Sequence, residues 1–583
     1  MSDKATQAQL ASDDLGPGES RLLRVDGRRL AVFRLEDGRL FAVDDACPHE
    51  GYPLSQGTVK DCVVTCPWHN FKFRLDDGSC LKGDEAVASH LVHEKSGTIH
   101  IELVDPPVEE QIARYRASLH EGLRENRVGQ IARDIVRLLR LGVEPVQLAA
   151  LCAVHDARHA RYGTSHVTPV AADVCSYFDR HREEAAVLPL MQAFEICAQT
   201  LVRMPMRPLA PAEDPGDNPD STGKRILELL EDEELEAAEA LLQGALTMGW
   251  QRDLLEPWFL RACARHWIGF GHGLIYVTKT FDLLDAAGWQ HANDLLPSLL
   301  RSLGSMTRED QVPEWLWFRR RLDELGPGLT SLHSTQKQGK ADLSELLATL
   351  LDGRREAAFD GITDALRQGT QPQRIVDCLV IAASERILRF DEQIDADPTI
   401  QNGWLTVTHG LTYAHAVRCA LSRLPEPAML SLLYFAARII NATQRLDRPK
   451  EERFRLHPDK SLGTSLEDCD QATAAGRPQE ALSVVANWLE QGGDISALRS
   501  WALDLALSDK LTRPLVVGHL IKTTCAAFTE HEHLQMAGSE HALLPIQAVL
   551  RLAASPIRER HVARLTHEAL RFVVAGKVPR SLI

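Results

Sequence analysis

The sequence contains no run of eighteen apolar residues, so we expect no transmembrane helix. Its first twenty residues have neither a basic stretch nor an apolar core, which argues against a signal peptide and favours a cytoplasmic location. Basic residues are also in deficit, with 65 Lys and Arg against 81 Asp and Glu. The resulting formal charge of −16 would repel nucleic acids and anionic membranes, so we expect neither as a partner.

The twelve cysteines do not form the dense pattern of a disulfide scaffold. Most are widely spaced, and many lie inside apolar helical patterns. Free, buried thiols in a reducing compartment explain them better than disulfides do. The two cysteines of one motif are the exception.

That motif places one cysteine and one histidine on each of two short segments. Sixteen residues separate Cys47-Pro48-His49 from Cys66-Pro67-Trp68-His69. Two thiolates and two imidazoles suit a [2Fe-2S] cluster in which cysteines hold one iron and histidines hold the other. A structural zinc site would instead pair cysteine with cysteine and histidine with histidine. The spacing therefore predicts an electron-transferring iron–sulfur centre held by Cys47, His49, Cys66 and His69.

Short strand patterns surround this motif from residue 21 to about residue 107. They alternate apolar and polar side chains, and Asp-Gly turns such as Asp37-Gly38 and Asp77-Gly78 separate them. The clearest predicted strands are 29–34, 39–43, 63–65, 71–75 and 98–103. The pattern predicts a small antiparallel barrel or sandwich over 21–107, after a disordered tail over 1–20.

Residues 47–78 resemble the Rieske ferredoxins, including the nitrite reductase small-subunit type and the ferredoxins that feed ring-hydroxylating dioxygenases. Both cysteine–histidine segments and the run from Phe71 to Phe73 carry the likeness. It implies a Rieske [2Fe-2S] cluster and an electron-donating reductase or ferredoxin as partner. Respiratory Rieske proteins add a disulfide and hydroxyl donors beside the cluster. Because Tyr52, Trp68, Asn70 and Phe71 stand at those positions, the resemblance implies a potential at the low end of the Rieske range.

From residue 108 to 583 the strand signals disappear and amphipathic helical patterns follow. Turn-rich breaks at 207–223, 325–339 and 446–463 separate four blocks. Each block contains a helix that ends in a leucine and then a glycine; the glycines are Gly142, Gly249, Gly369 and Gly493, the last shifted by one residue. The predicted fold is thus a β domain followed by an all-α helical-repeat domain, with units at about 108–206, 224–325, 340–446 and 464–583.

One histidine stands at the start of an apolar helix in each predicted unit: His166, His272, His409 and His519. The second and third share the pattern His-Gly-Leu-x-Tyr. These histidines are candidate catalytic residues lining one pocket, and helix capping or core packing is the alternative. The segments 271–281 and 408–418 resemble the questin oxidase-like proteins, which are helical enzymes that open aromatic rings with molecular oxygen.

Two other motifs were weaker candidates. Asp156-Ala157-Arg158-His159 begins the Asp-x-x-His pattern of Rieske oxygenases, but the next histidine is too distant. The cluster Glu530-His531-Glu532-His533 offers a single Glu-x-x-His, whereas a di-iron bundle needs two. A solvated helix terminus explains it more simply.

These observations predict an oxidoreductase whose cluster passes single electrons to the helical domain, where a small organic and possibly aromatic substrate is oxidised with oxygen. The alternative is a non-catalytic electron carrier whose helical repeats dock a reductase or oxygenase. The sequence does not assign a second metal.

Overall fold

The computed structural model describes residues 7–83, 85–103, 105–335, 342–400, 403–508, 513–556 and 561–577. The chain divides into two compact units. The first ends at Gly122 and also takes in Gly129–Leu141, and the second comprises Leu123–Val128 and the chain from Gly142 onward. The predicted order, antiparallel β structure first and helices afterwards, is confirmed.

The described strands of the first unit form two antiparallel sheets. They are β1 Gln7–Ala11, β2 Ser20–Val25, β3 Arg28–Arg34, β4 Leu40–Asp44, β5 Thr58–Lys60, β6 Val63–Thr65, β7 Lys72–Arg74, β8 Cys80–Lys82, β9 Ser89–Lys95 and β10 Thr98–Glu102. The six-stranded sheet has the order β1-β10-β9-β4-β3-β2, and the four-stranded sheet has the order β5-β6-β7-β8.

Strand β3 is buried on both faces and joins two parts of the core. Leu30 and Val32 pack with residues of β1 and β10, whereas Phe33 packs on the opposite side with Cys47 and Cys66. Alternating side chains of one strand necessarily point to opposite faces. The sheet therefore supports, from below, the two loops that carry the cysteine–histidine motif.

The prediction of a disordered tail over 1–20 is wrong from Gln7 onward. Strand β1 pairs antiparallel with β10, with Gln7 opposite Glu102 and Ala11 opposite Thr98. Ala8 and Leu10 are buried in the core, and this burial stabilises an edge strand that is too short to stand out in the sequence.

The predicted change from strand to helix near residue 107 is correct, but the first compact unit extends beyond it. Most of helix α1 Val108–Arg124 and of helix α2 Val128–Arg140 belongs to this first unit. The buried Glu85 carboxylate accepts hydrogen bonds from both Arg133, at 2.7 Å, and Arg137 of α2. A buried carboxylate needs such partners, so this contact fixes α2 on the first unit.

The second unit is helical. Its described helices are α3 Pro145–His159, α4 Val167–Val174, α5 Val187–Thr200, α6 Pro219–Glu231, α7 Leu235–Thr247, α8 Arg252–Arg265, α9 His272–Ala287, α10 Ala292–Ser305, α11 Leu316–Leu325, α12 Leu329–Ser334, α13 Ser344–Asp352, α14 Arg355–Arg367, α15 Pro372–Arg389, α16 Glu392–Ala396, α17 Trp404–Arg423, α18 Ser431–Ala442, α19 Leu466–Ala474, α20 Pro478–Glu490, α21 Ile495–Ala506, α22 Pro514–Met536, α23 Leu544–Ala554 and α24 His561–Ala569. None of the helices in the described ranges is both long and apolar enough to cross a membrane.

Four of these helices form a closed ring. Helix α4 packs against α9 and α22, and α17 packs against the same two helices. Each of the four carries, at or near its N-terminal end, one of the histidines singled out in the sequence. The ring thus gives four side chains from distant parts of the chain a common centre.

The predicted boundaries inside the helical region are correct only in part. The predicted loop over 325–339 contains helix α12, and its residues 336–339 fall outside the described ranges. Gly142, Gly249 and Gly369 do end helices with φ of +84°, +79° and +86°. In the fourth block, however, Gly492 and not Gly493 takes this role, with φ of +84°. That the four blocks are repeats stays a prediction.

Candidate functional site

The two cysteine–histidine segments lie side by side on loops of the first unit. The loop after β4 carries Cys47 and His49, and the loop after β6 carries Cys66 and His69. The two imidazoles face each other, with their Nδ1 atoms 3.1 Å apart. All four predicted ligand side chains are therefore brought together at one end of the sheets.

Both loops use the same hydrogen-bonded turn. The N–H of Cys47 donates to the carbonyl of Tyr52 at 2.9 Å, and the N–H of Cys66 donates to the carbonyl of Phe71 at 2.8 Å. Each cysteine thus bonds the residue five positions further along. The histidine two or three positions after the cysteine is held at the tip of the turn.

A left-handed residue closes each turn. Gly51 and Asn70, both four positions after the cysteine, have φ of +74° and +60°. Their N–H groups donate to the carbonyls of Cys47 and Cys66 at 2.7 and 3.0 Å. Glycine and asparagine are the residues that adopt this conformation most readily, so the sequence of each loop fits its geometry.

The two pairs of side chains differ in exposure. Cys47 and Cys66 are buried in the core, whereas His49 is half-buried and His69 is exposed. Burial raises the pKa of the Cys47 thiol to about 11, although the N–H groups of His49 and Glu50 point toward its sulfur and lower it. A bound metal would deprotonate such a thiol outright. The arrangement can hold a metal centre with its sulfur side inward and its imidazole side toward solvent.

Aromatic contacts join the two loops. The rings of Tyr52 and Trp68 lie parallel within 3°, with centroids 6.0 Å apart. His49 stacks on Phe71 at 4.7 Å. Trp68 also donates its Nε1–H to Glu50 at 3.1 Å. Stacking of Tyr52 on Trp68 thus connects the two loops in the absence of a disulfide between these positions.

The four histidines of the helical unit converge on one point at the centre of the helix ring. The Nε2 atoms of His166 and His272 are 3.0 Å apart, and those of His409 and His519 are 3.1 Å apart. The ring centroids of His272 and His409 are 4.4 Å apart, and those of His166 and His519 are 5.0 Å apart. That these residues line one pocket and act in catalysis stays a prediction, because His166, His272 and His519 each line a different cavity.

The helices present these histidines in two ways. His166 precedes α4 and His272 is the first residue of α9, as expected from the sequence. His409 and His519 instead lie in the second turn of α17 and α22, because both helices begin five residues earlier than the histidine. Helices α17 and α22 thus begin earlier than the sequence predicted.

The outer nitrogens of three of these imidazoles, those of His166, His272 and His519, have a hydrogen-bond partner. His272 Nδ1 donates to the carbonyl of Gly269, and His519 Nδ1 donates to that of Leu515 at 2.7 Å. The hydroxyl of Tyr276 lies 3.2 Å from His166 Nδ1. A carbonyl can only accept, so His272 and His519 carry their proton on Nδ1 and turn an Nε2 lone pair toward the centre.

Burial keeps these imidazoles uncharged. It lowers the pKa of His272 to about 3 and places those of the other three well below the ordinary value. The charge of the buried Lys522 lowers all four further. Burial also lowers the pKa of Lys522 to about 7, and its Nζ has no hydrogen-bond partner within the described ranges. The four imidazoles at the centre are therefore neutral and can act as nitrogen ligands.

Two cavities reach this centre. One of about 320 Å³ is lined by His166, Arg513 and neighbouring residues. Another of about 510 Å³ is lined by His272, Tyr276 and Glu309. Glu309 is buried, and burial raises the pKa of its carboxyl to about 7. A small molecule entering the larger cavity would meet an imidazole, a phenol and a carboxyl that titrates near neutral pH.

Comparison with known proteins decides the class of the first unit. Residues 6–94 match the family model of the Rieske [2Fe-2S] domain. This part of the chain is a Rieske [2Fe-2S] domain. It contains a [2Fe-2S] cluster, and the buried thiols and facing imidazoles described above fit that group.

Relatives of the Rieske domain are found among oxygenases. Cholesterol 7-desaturase nvd of Hemicentrotus pulcherrimus is 40% identical over 73 residues, which are 12% of this chain and 16% of the relative. The probable 3-ketosteroid-9-alpha-monooxygenase oxygenase component of Rhodococcus rhodochrous is 39% identical over 69 residues, 12% of this chain and 17% of the relative. The chain thus spans about one sixth of the length of these curated relatives. The likeness supports a Rieske oxidoreductase.

A solved structure covers the same segment. The putative NADH-dependent nitrite reductase small subunit of Mycobacterium tuberculosis is 32% identical, with a TM-score of 0.16. The match covers 17% of this chain and 98% of that protein. The family match ends at residue 94, so the likeness of helical segments to questin oxidase-like proteins stays a prediction.

Asp156, considered with His159 as the start of a metal-binding motif, has a different role. Its carboxylate accepts hydrogen bonds from the N–H and hydroxyl of Ser165, at 2.9 and 2.7 Å, and lies 3.3 Å from the hydroxyl of Thr168. His159 instead bonds the carbonyl of His155 in its own helix. Asp156 therefore anchors the turn that presents His166. The Asp-x-x-His pattern of residues 156–159 gave no indication of this role.

Replacing Asp156 by alanine should destabilise the helical unit by roughly 3 kcal/mol, because three donors, two on the half-buried Ser165 and one on the buried Thr168, lose their acceptor. Urea denaturation followed by circular dichroism measures this loss. The exposed Asp179 provides the control, and its alanine variant should stay within about 0.5 kcal/mol of the parent protein. An Asp156 variant as stable as the Asp179 variant would contradict the anchoring role.

Proposed function

We propose that this protein is a Rieske oxygenase-type oxidoreductase in which both units act in one reaction. The cluster accepts single electrons from a reductase or ferredoxin. The four-histidine centre of the helical unit receives them and oxidises a small organic substrate with oxygen. The convergence of His166, His272, His409 and His519 on one point supports a catalytic helical unit, since His166 and His272 each also line a cavity.

We assign the cluster ligands to Cys47, Cys66, His49 and His69. The cysteines would hold the buried iron and the histidines the outer one, since only the imidazoles reach the surface. The cluster supplies reversible one-electron transfer. The N–H groups directed at Cys47 stabilise negative charge on its sulfur, and the half-buried His49 and exposed His69 offer electrons a short way out.

The Cys66→Ser variant should lose the cluster's visible absorption and its two irons, because a hydroxyl replaces a buried thiolate ligand. The matched control is Cys62→Ser. Cys62 lies on the turn between β5 and β6, half-buried and close to the same core, and it is not assigned as a ligand. Absorption spectra and iron content of both purified variants are the measurement. A Cys66→Ser protein with full iron and an unchanged spectrum would refute the assignment.

We further propose that the four imidazoles hold a redox-active transition metal ion. Nitrogen ligands lie at about 2.0 Å from such an ion, so two ligands at a right angle are about 2.9 Å apart. The observed Nε2 separations of 3.0 and 3.1 Å support this fit. The ligand nitrogens of His166, His272 and His519 also all lie within 4.8 Å of one another. Such an ion supplies a site for oxygen chemistry.

The surrounding residues would then bind and orient the substrate. The larger cavity places Tyr276 and Glu309 beside His272, so a hydroxyl or carbonyl group of a substrate could bond either side chain. Because the pKa of Glu309 lies near 7, its carboxyl can take or return a proton close to neutral pH. The buried amine of Lys522, whose pKa burial lowers to about 7, is a second group that can exchange a proton close to neutral pH.

Metal analysis distinguishes this function from a non-catalytic carrier. The catalytic proposal predicts a metal ion in addition to the two cluster irons, and its loss in His272→Ala and His409→Ala with the cluster spectrum unchanged. His291→Ala is the control, because His291 lies in the same unit but bonds the side chain of Gln147 and is not one of the four histidines. The rate at which oxygen reoxidises the dithionite-reduced cluster should fall in the first two variants only.

Two irons and no further metal in the parent protein, with reoxidation equally fast in all three variants, would refute the catalytic proposal. The helical unit would then serve as a docking scaffold for a redox partner.

A further inference from the structure

A cysteine, a histidine and a glutamate form a hydrogen-bonded row in the helical unit, apart from the four-histidine centre. Cys419 Sγ lies 3.8 Å from His415 Nε2, and His415 Nδ1 lies 2.8 Å from Glu530 Oε1. Cys419 follows His415 by one turn of α17, and Glu530 lies on α22. His415 follows His409 by six residues, which is about 9 Å along the helix.

The glutamate is held firmly. Arg418 Nε donates to both carboxylate oxygens of Glu530, at 3.0 and 2.8 Å, and Arg418 Nη2 also bonds Asp377 at 3.0 Å. Glu530 is fully buried, so the earlier interpretation of the cluster 530–533 as a solvated helix terminus is wrong at this residue. A fixed carboxylate orients His415 with its Nδ1–H toward Glu530 and its Nε2 toward the sulfur.

The charges around the row favour an ion pair of imidazolium and thiolate. Burial opposes charge on both groups. Even so, the His415 and Arg423 charges bring the pKa of Cys419 below its ordinary value, with Asp282 opposing. Cys419 and Glu530 in turn raise the pKa of His415 to about 10. Glu256 and Asp282 face Arg423 and are paired with it.

Other cysteines of the unit show the reverse. Burial raises the pKa of Cys175 and Cys525 to about 12. Cys175 is half-buried, as Cys419 is, so exposure alone does not explain the difference. The difference in thiol pKa comes from His415 and Arg423, which face Cys419, and from Glu530, which stabilises the charge on His415. A low-pKa, partly accessible thiol is the feature of reactive cysteines.

We propose that Cys419, His415 and Glu530 form a reactive-thiolate site at which a hydroperoxide oxidises the Cys419 sulfur to a sulfenic acid. Cys419 is the nucleophile, His415 the proton donor and Glu530 a positioning residue. The half-buried position admits a small oxidant. This inference does not rest on the proposed oxygenase function, because it needs only the three side chains and the peroxide.

The reaction balances with these groups alone. The thiolate sulfur attacks one peroxide oxygen, an S–O bond forms and the O–O bond breaks. Sulfur loses two electrons, and the peroxide gains them. The leaving hydroxide takes the proton of the His415 imidazolium, so thiolate, hydrogen peroxide and imidazolium give sulfenic acid, water and neutral imidazole. A thiol can later reduce the sulfenic acid through a disulfide.

The first test measures alkylation of the intact holoprotein by iodoacetamide, site by site, with peptide mass spectrometry. An ordinary thiol of pKa about 8.5 loses roughly 25-fold in rate between pH 9 and pH 7. Cys419 should lose clearly less than this, because His415 and Arg423 hold its pKa below the ordinary value, and it should react at least about tenfold faster than Cys175 at pH 7. A Cys419 no faster than Cys175 would overturn the proposal.

The second test uses His415→Gln and Glu530→Gln. Both should restore the steep pH dependence at Cys419 and lower its rate at pH 7 by about tenfold or more, which a purely structural role would not do. After one equivalent of hydrogen peroxide, dimedone should label Cys419 in the parent protein and not in His415→Gln. Unchanged pH profiles in both variants would overturn the proposal. Should either variant fail to fold, the profile of the parent protein decides alone.

Discussion

The neutrality of four imidazoles, that of His519 buried and the other three half-buried, is the constraint on which the helical unit depends. Four histidines can share one centre only if they are uncharged, because protonated neighbours at about 3 Å would repel each other strongly. Burial supplies this condition, and the outer hydrogen bonds to Gly269 and Leu515 set the tautomers. Helices α4, α9, α17 and α22 form a closed ring around the four imidazoles. Gly518 lets α22 approach α4, since a Cβ there would come within 2.9 Å of Val170.

The Rieske domain solves a related problem by different means. Here two loops with the same turn geometry bring two thiols and two imidazoles together, and a buried sheet core fixes the sulfur side. The imidazole side is left accessible. Thus one centre is placed for exchange of electrons at a surface, and the other is placed inside a helical ring beside cavities. Under the proposed function these are a donor and an acceptor within one chain, and a covalent connection would raise their effective concentration.

The sequence predicted those parts of the site that depend on local spacing. Cys47, His49, Cys66 and His69 could be identified because each pair lies within four residues and its turn is encoded by Gly51 or Asn70. The four helical histidines were found because each stands near the start of an apolar helix. Partners brought together by tertiary packing could not be predicted. Asp156 anchors the turn before His166 from another helix, and Glu530 meets His415 across 115 residues. Strand β1 was missed because its burial depends on pairing with the distant β10.

We propose that the four imidazoles hold a metal ion that works with the cluster. Anomalous difference maps from crystals of the purified protein, recorded at the absorption edges of the first-row transition metals, test it most directly. We expect a peak between the Nε2 atoms of His166, His272, His409 and His519, in addition to the two cluster irons. Clear density for the four side chains with no anomalous peak between them would contradict it.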